Sequence, residues 1–246
     1  MNALTHVPER RLIVEGAYNV RDLGGYPTAD GRTTRWGRLY RADGLHKLTE
    51  AGQQAILERG VAAVVDLRHA SELETMPNVF ADSSRVAYHN VDLINPTTSA
   101  RPTIKNLGDM YVNMLDDCQP ALTRILSLLA DSEGTAALYH CTAGKDRTGL
   151  VSALLLDLAR VPHDVIAADY ALTAECLLPI MDELRQGRPE QVPAEMYEKF
   201  LGCDPENMEL LLAHLVARYG GAERFMLEIG LTEAQVDALK AKLLGE

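Results

Sequence analysis

No run of residues in this chain is long and apolar enough to span a bilayer. The best stretch, Leu150 to Ala159, falls well short of the ~20 residues a crossing helix needs and contains Asp157. Residues Met1 to Arg10 lack the basic-then-apolar pattern of an export signal. A cytoplasmic location without stable membrane insertion is therefore expected, with export by another route left open. Cysteine is scarce: there are four, and none forms a C-x-x-C pair, which argues against a zinc site. Cys118, Cys176 and Cys203 stand isolated and read as small buried or half-buried residues, while the absence of pairing suggests a reducing compartment. Basic residues are in deficit, 24 against 35 acidic ones, and the net charge of −11 argues against a nucleic-acid partner. Internal repeats and low-complexity tracts are also missing.

What is present suits a globular enzyme. The 246 residues, 47% hydrophobic, suffice for one large core, and 1–246 is read as a single domain. Turn-rich pieces between Asn19 and Arg41, including Ala29-Asp30-Gly31, suggest a β-hairpin. Thr49 suits a helix N-cap and Gly60 a helix stop. The apolar run Val61 to Val65 reads as a strand buried on both faces, and Val86 to Leu93 as a second strand. Pro120 opens a helix with Leu122, Ile125, Leu126 and Leu129 on one side. A strand over 135–139 precedes a nearly all-apolar helix ending near Arg160. Asp204 and Pro205 start another helix, with Met208, Leu211, Leu212, Leu215 and Val216 inward. Thr232 and Gln235 form a capping box for the last one. The class is α/β: a central, mostly parallel sheet flanked by helices.

Between that strand and helix runs His140-Cys141-Thr142-Ala143-Gly144-Lys145-Asp146-Arg147-Thr148-Gly149. A strand, a short loop and a helix N-terminus direct backbone N–H groups at one point and favour an anion there. A phosphate ester needs an ionised nucleophile. A cysteine of ordinary pKa is only about 3% thiolate at pH 7, but inward N–H groups and a nearby cation lower that pKa to ~3.5–7.5. A three-unit shift corresponds to ~4 kcal/mol in favour of the thiolate. Cys141 is thus the candidate nucleophile, and Arg147 the planar fork for two phosphate oxygens. Thr142, Ala143, Gly144, Lys145 and Thr148 complete the candidate phosphate site, with Thr148 placed to donate its hydroxyl to the departing thiolate. His140 is read as a brace for the loop. Gly144 permits a tight turn and Gly149 close helix packing. A Walker loop does not fit, because Asp146 replaces the required Ser/Thr and Tyr139 the first glycine. No metal or other cofactor is called for.

The run resembles the His-Cys-x5-Arg-Ser/Thr signature of cysteine-dependent phosphatases. Its Lys-Asp pair is similar to the bacterial tyrosine phosphatases with a His-Cys-x-x-Gly-Lys-Asp-Arg-Thr-Gly loop. Further blocks agree in order: Asn19-Val20-Arg21-Asp22-Leu23-Gly24-Gly25, Gly37 to Arg41, Val65 to Arg68, Tyr219-Gly220-Gly221 and Gly230-Leu231-Thr232. The resemblance implies a cysteine-phosphatase-like fold and hydrolysis of phosphate monoesters, chiefly phosphotyrosine, through a phosphocysteine intermediate. Phosphorylated proteins or peptides are the implied partners, with phosphoinositides as the alternative substrate. Lys145 either meets an extra phosphate or only braces the loop.

The resemblance also implies a general acid on a loop upstream of the cysteine. Asp92, in Asn90 to Pro96, is the first candidate and Asp146 the second. Asp66 reads instead as a strand end paired with Arg68, and Asp109, Asp116 and Asp117 as helix-surface charges. Residues 163–209 hold eleven acidic and three basic side chains. That stretch is either the solvated face of ordinary helices or a helical lid, such as members of this branch carry. A sulfurtransferase and a non-catalytic phosphate-binding module are the other classes weighed. The retained arginine and aspartates disfavour the first, and retention of both Cys141 and Arg147 disfavours the second.

Overall fold

Val61 to Asp66 forms the strand β3 of a five-stranded sheet, and its neighbours explain its composition. In chain order the strands are β1 (Arg21–Asp22), β2 (Leu39–Ala42), β3 (Val61–Asp66), β4 (Ala87–Asn90) and β5 (Ala136–His140), arranged β1-β2-β5-β3-β4. Within this sheet β1 and β2 pair antiparallel, and the β2–β5, β5–β3 and β3–β4 pairs are parallel. This is a computed structural model, and it describes residues 10–94, 106–132, 134–188, 190 and 192–245.

Side chains of the central strands alternate between two cores. Ala63, Val65, Ala137 and Tyr139 join the larger core, while Val61, Val64, Ala136 and Leu138 join the smaller. Both faces are covered, so a continuous apolar run rather than an apolar–polar alternation is what β3 requires. The smaller core is closed by Leu45, Leu48 and Ile56, around helix α1 (Glu50–Leu57). Thr49 caps α1 by accepting from Gly52 N–H at 3.1 Å. The larger core takes side chains from α3 (Leu107–Asp117), α4 (Gln119–Asp131) and α5 (Asp146–Leu158). It also takes them from α6 (His163–Leu177), α9 (Pro205–Tyr219), α10 (Ala222–Glu228) and α11 (Glu233–Leu244). Shorter helices among the described residues include α2 (Ala70–Thr75), α7 (Met181–Gln186) and α8 (Ala194–Leu201).

Most expected elements appear close to their expected bounds. The turn Ala29-Asp30-Gly31 lies between β1 and β2, with Pro27 bridging Thr33. The strand expected over 86–93 is shorter, because only Ala87–Asn90 pairs regularly. Beyond it Val91 N–H donates to Asp66 O at 2.9 Å and Leu93 N–H to Leu67 O at 3.2 Å. Val216, expected inward, is 48% exposed, because α9 turns that position away from α3 and α6. Gly220, with φ +79°, ends α9 in the left-handed conformation. Among the described residues no helix is long and apolar enough to cross a membrane.

Because β3, β4 and β5 run parallel, their C-terminal ends share one edge of the sheet. The segments after β3, β4 and β5 therefore meet there. Leu67 N–H donates to His140 O at 2.8 Å, and Leu93 N–H in turn reaches Leu67 O.

Candidate active site

The loop after β5 is held from outside by its carbonyl groups. His140 Nδ1 donates to Cys141 O at 2.9 Å, and Gly44 N–H donates to Thr142 O at 2.9 Å. Asn19 Nδ2 donates to Ala143 O at 2.9 Å and to Gly144 O at 3.1 Å, while Arg41 donates to Gly144 O at 2.7 Å. Four consecutive carbonyls are thus turned outward. None of the N–H groups of Thr142 to Asp146 donates to an acceptor among the described residues. A peptide unit with its oxygen fixed on one side presents its N–H on the other. The loop accordingly lines the start of α5 with donors that have no partner among the described residues, an arrangement suited to an anion.

Gly144 is the residue that lets this happen. Its φ is +65°, and a Cβ there would lie 2.5 Å from Ala42 O at the end of β2. Gly149 faces Tyr170 on α6, which a Cβ would approach to 3.3 Å. His140 is fully buried; its Nε2 lies 2.8 Å from Asn78 Nδ2 and 3.2 Å from Asp66 Oδ2. Its place as a brace is as expected. Asp66 and Arg68 pair at 2.7 Å; burial alone would raise the Asp66 pKa, but His140, Arg68 and Asn78 together hold it far below the usual carboxylate range.

Cys141 is only 2% exposed. Arg147 stands beside it. Burial opposes the guanidinium charge, yet Cys141 and Glu72 outweigh burial and raise its pKa. Glu72, on α2, accepts from Arg147 Nη1 at 2.6 Å and from Nη2 at 2.9 Å. The Thr142 hydroxyl also donates to Glu72. Glu72 has its pKa lowered to about 2: burial would raise it, but the Arg147 hydrogen bonds and charge prevail. Arg147 Nε–H donates to no described residue, so one edge of the fork stays open. Thr148 is fully buried, and its Oγ1 has no hydrogen-bond partner among the described residues.

The other candidates take separate places. Asp92 lies two residues beyond β4, with Oδ2 3.7 Å from His69 Nε2. Asn95 and Pro96 of the same expected loop lie outside the described residues. Asp146 opens α5; its Oδ1 accepts from Tyr111 OH at 2.5 Å, and Tyr111 OH meets Tyr170 OH at 2.7 Å. Lys145 is nearly buried. Its amine donates to Phe200 O and, at 3.0 Å, to Gly202 O, at the end of α8, and lies 3.4 Å from Asp146. It is therefore engaged by backbone carbonyls of the 163–209 stretch.

Several participants escaped the sequence. Glu72 carries no local pattern that distinguishes it from any other helix glutamate. Asn19 and Arg41 sit in the resembling blocks, but their contacts with Ala143 and Gly144 are visible only in three dimensions. Asp169 is one of the eleven acidic residues of 163–209, and nothing in the sequence sets it apart, yet it is buried. It meets Arg21 Nε at 3.2 Å, Arg41 Nη1 at 2.5 Å and Tyr26 OH at 2.6 Å. Asp116, expected on the surface, accepts from Arg218 at 2.7 Å and from Tyr219 OH at 2.7 Å, tying α3 to α9.

The model of a family described as the tyrosine phosphatase family matches residues 12–245. The chain belongs to the tyrosine phosphatase family. Among the relatives of this phosphatase is a tyrosine-protein phosphatase of Nostoc commune. It is 31% identical over 222 residues, covering 82% of this chain and 73% of the relative. The triple specificity protein phosphatase PtpB of Mycobacterium tuberculosis is 28% identical over 276 residues, covering 94% and 98%. The crystal structure of P. aeruginosa TpbA in complex with phosphotyrosine covers 93% of this chain and all of its own, at 14% identity and a TM-score of 0.41. The family and the Nostoc relative identify the protein as a protein-tyrosine phosphatase.

Proposed function

We propose that this phosphatase hydrolyses phosphate monoesters, chiefly phosphotyrosine in proteins or peptides, through a phosphocysteine intermediate and without a metal. The observation that carries the reading is the loop itself. Its carbonyls are held outward and its N–H groups are unpaired, and Cys141 and the open edge of Arg147 stand at the same loop. In the first step Cys141 Sγ attacks phosphorus, the S–P bond forms and the ester P–O bond breaks. The leaving oxygen takes a proton from an aspartic acid. In the second step water attacks phosphorus, the S–P bond breaks and the water proton passes to the same carboxylate. The N–H donors and Arg147 stabilise the charge on the transferring phosphoryl oxygens in both steps.

Asp92 is assigned as the acid. It follows β4 on the sheet edge where the signature loop emerges, and among the described residues its carboxylate accepts no hydrogen bond. Asp146 is the second reading, supported by its place beside Arg147, although Tyr111 already occupies one of its oxygens. Residues 163–209 are assigned as a lid, rooted in α6 and including α7 and α8, because Lys145 fastens the signature loop to the end of α8. The same contact favours Lys145 as a brace over direct recognition of an extra phosphate. Phosphoinositides then rank as weak substrates, with the triple-specificity name of the mycobacterial relative as the reason to assay them.

The test is Cys141→Ser. The variant should bind a phosphotyrosine peptide with near wild-type affinity while turnover of p-nitrophenyl phosphate disappears, and wild-type turnover should be indifferent to chelator. Residual turnover above a few per cent of wild type would contradict a covalent route.

A further inference from the structure

The first turn of α2 does two jobs at once. His69 is its N-cap, a position that usually falls to Ser, Thr, Asp or Asn. Its Nδ1 accepts the Ser71 N–H at 3.2 Å and lies 2.9 Å from Ser71 Oγ. Three residues on, Glu72 accepts the His69 N–H at 2.9 Å. These are the two reciprocal bonds of a capping box. Each capping side chain has a second partner at the site. Glu72 grips Arg147 and Thr142, and the imidazole faces Asp92.

Acceptance at Nδ1 fixes the tautomer. A neutral imidazole that accepts at one nitrogen carries its proton on the other, here Nε2. That N–H is the one facing Asp92 Oδ2 at 3.7 Å. The ring is 42% exposed and Asp92 37%, so core packing does not account for their meeting. Asp92 Oδ1 is covered and has no hydrogen bond from the described residues. Among the described residues, His69 thus offers a side-chain donor to this carboxylate. The distance exceeds a hydrogen bond, and catalytic contacts of this kind shorten once substrate is in place.

We infer that His69 is a positioning residue for the general acid: the capping box of α2 holds the acid and the phosphate clamp in one register. The inference rests on the reading of Asp92 as the acid. His69 neither gains nor loses a proton in the cycle. Asp92 gives its proton to the leaving oxygen, and the Nε2–H orients the carboxylate that results. That carboxylate then takes the proton of the attacking water.

Two substitutions split the histidine's functions. His69→Asn keeps a favoured capping acceptor but is too short to reach Asp92. His69→Gln places an N–H near the position of Nε2 but loses the cap. Both, with Asp92→Asn and the double variant of Asp92→Asn with His69→Asn, are assayed on aryl phosphates of rising leaving-group pKa, alongside thermal melting. For His69→Asn, melting should be unchanged, and kcat should fall about ten-fold on poor leaving groups, as expected for one hydrogen bond, with a shrinking loss on good ones. It should add nothing when Asp92 is already Asn. His69→Gln should melt earlier yet keep more of the wild-type leaving-group profile. If Asp92→Asn depends on the leaving group while His69→Asn loses activity uniformly, the positioning role is overturned and the acid reading stands. If Asp92→Asn itself is uniform across leaving groups, the acid reading fails and the inference falls with it.

Discussion

At Arg147 a single carboxylate decides how the phosphate fork is presented. Glu72 binds both terminal nitrogens and leaves Nε–H without a partner among the described residues. The pair has a pH signature. Glu72 starts from an ordinary value of 4.5 and is lowered to about 2. A carboxyl whose folded pKa is depressed stabilises the fold above its unfolded pKa and loses that contribution as pH falls through the folded one. The stability advantage of wild type over Glu72→Gln should therefore be full at pH 6 and shrink between about 4.5 and about 2. Thermal melts of both proteins across that range check it, and a constant difference would contradict the pairing. Gly144 makes the second prediction at this scale. Gly144→Ala has to place a Cβ against Ala42 O at a left-handed φ, so it should lower stability by more than about 1 kcal/mol and abolish phosphate binding. Denaturant unfolding and vanadate titration measure the two effects, and a stable, vanadate-binding variant would refute the close approach.

Among the elements, α6 couples the 163–209 stretch to the signature loop from below. Asp169 is its contribution, buried between Arg21 and Arg41, and Arg41 passes the contact on to Gly144 O. Removing the carboxylate leaves two buried guanidinium groups facing each other without their counter-charge. Asp169→Ala should destabilise the protein by ~3–5 kcal/mol, read from urea unfolding. A loss below about 1 kcal/mol would show that the arginines find other partners. The elements also show what the sequence could reveal. Continuous apolar runs marked β3 and β5, and the signals at Thr49, Pro120, Pro205 and Thr232 located helix starts, because these are local signals. Nothing local marks Asp169 as buried, because its partners Arg21 and Arg41 lie more than a hundred residues away in the chain. The strand at 86–93 read too long because Val91 and Leu93, apolar and buried, belong to a segment that hydrogen-bonds to β3 and its following loop without regular pairing.

For the whole molecule, the loop from His140 to Gly149 made the proposed phosphate site legible, because cysteine, glycine and arginine lie close together along one short stretch of chain. The proposed proton donor was less legible. Asp92 and its partner His69 come from different segments, and their meeting depends on the parallel order of β3, β4 and β5. Substrate range also belongs to this scale. With its amine on Phe200 O and Gly202 O, Lys145 links the loop to the proposed lid, so Lys145→Ala should reduce turnover of a phosphotyrosine peptide and of a phosphoinositide by similar factors, independent of salt. A larger, salt-sensitive loss on the phosphoinositide would place the amine on substrate instead. The most direct test of the central claim is to quench the wild-type enzyme in mid-turnover and map phosphoryl groups by peptide mass. The account predicts one phosphoryl group on the peptide containing Cys141, absent from Cys141→Ser; steady turnover with that peptide unmodified would contradict it.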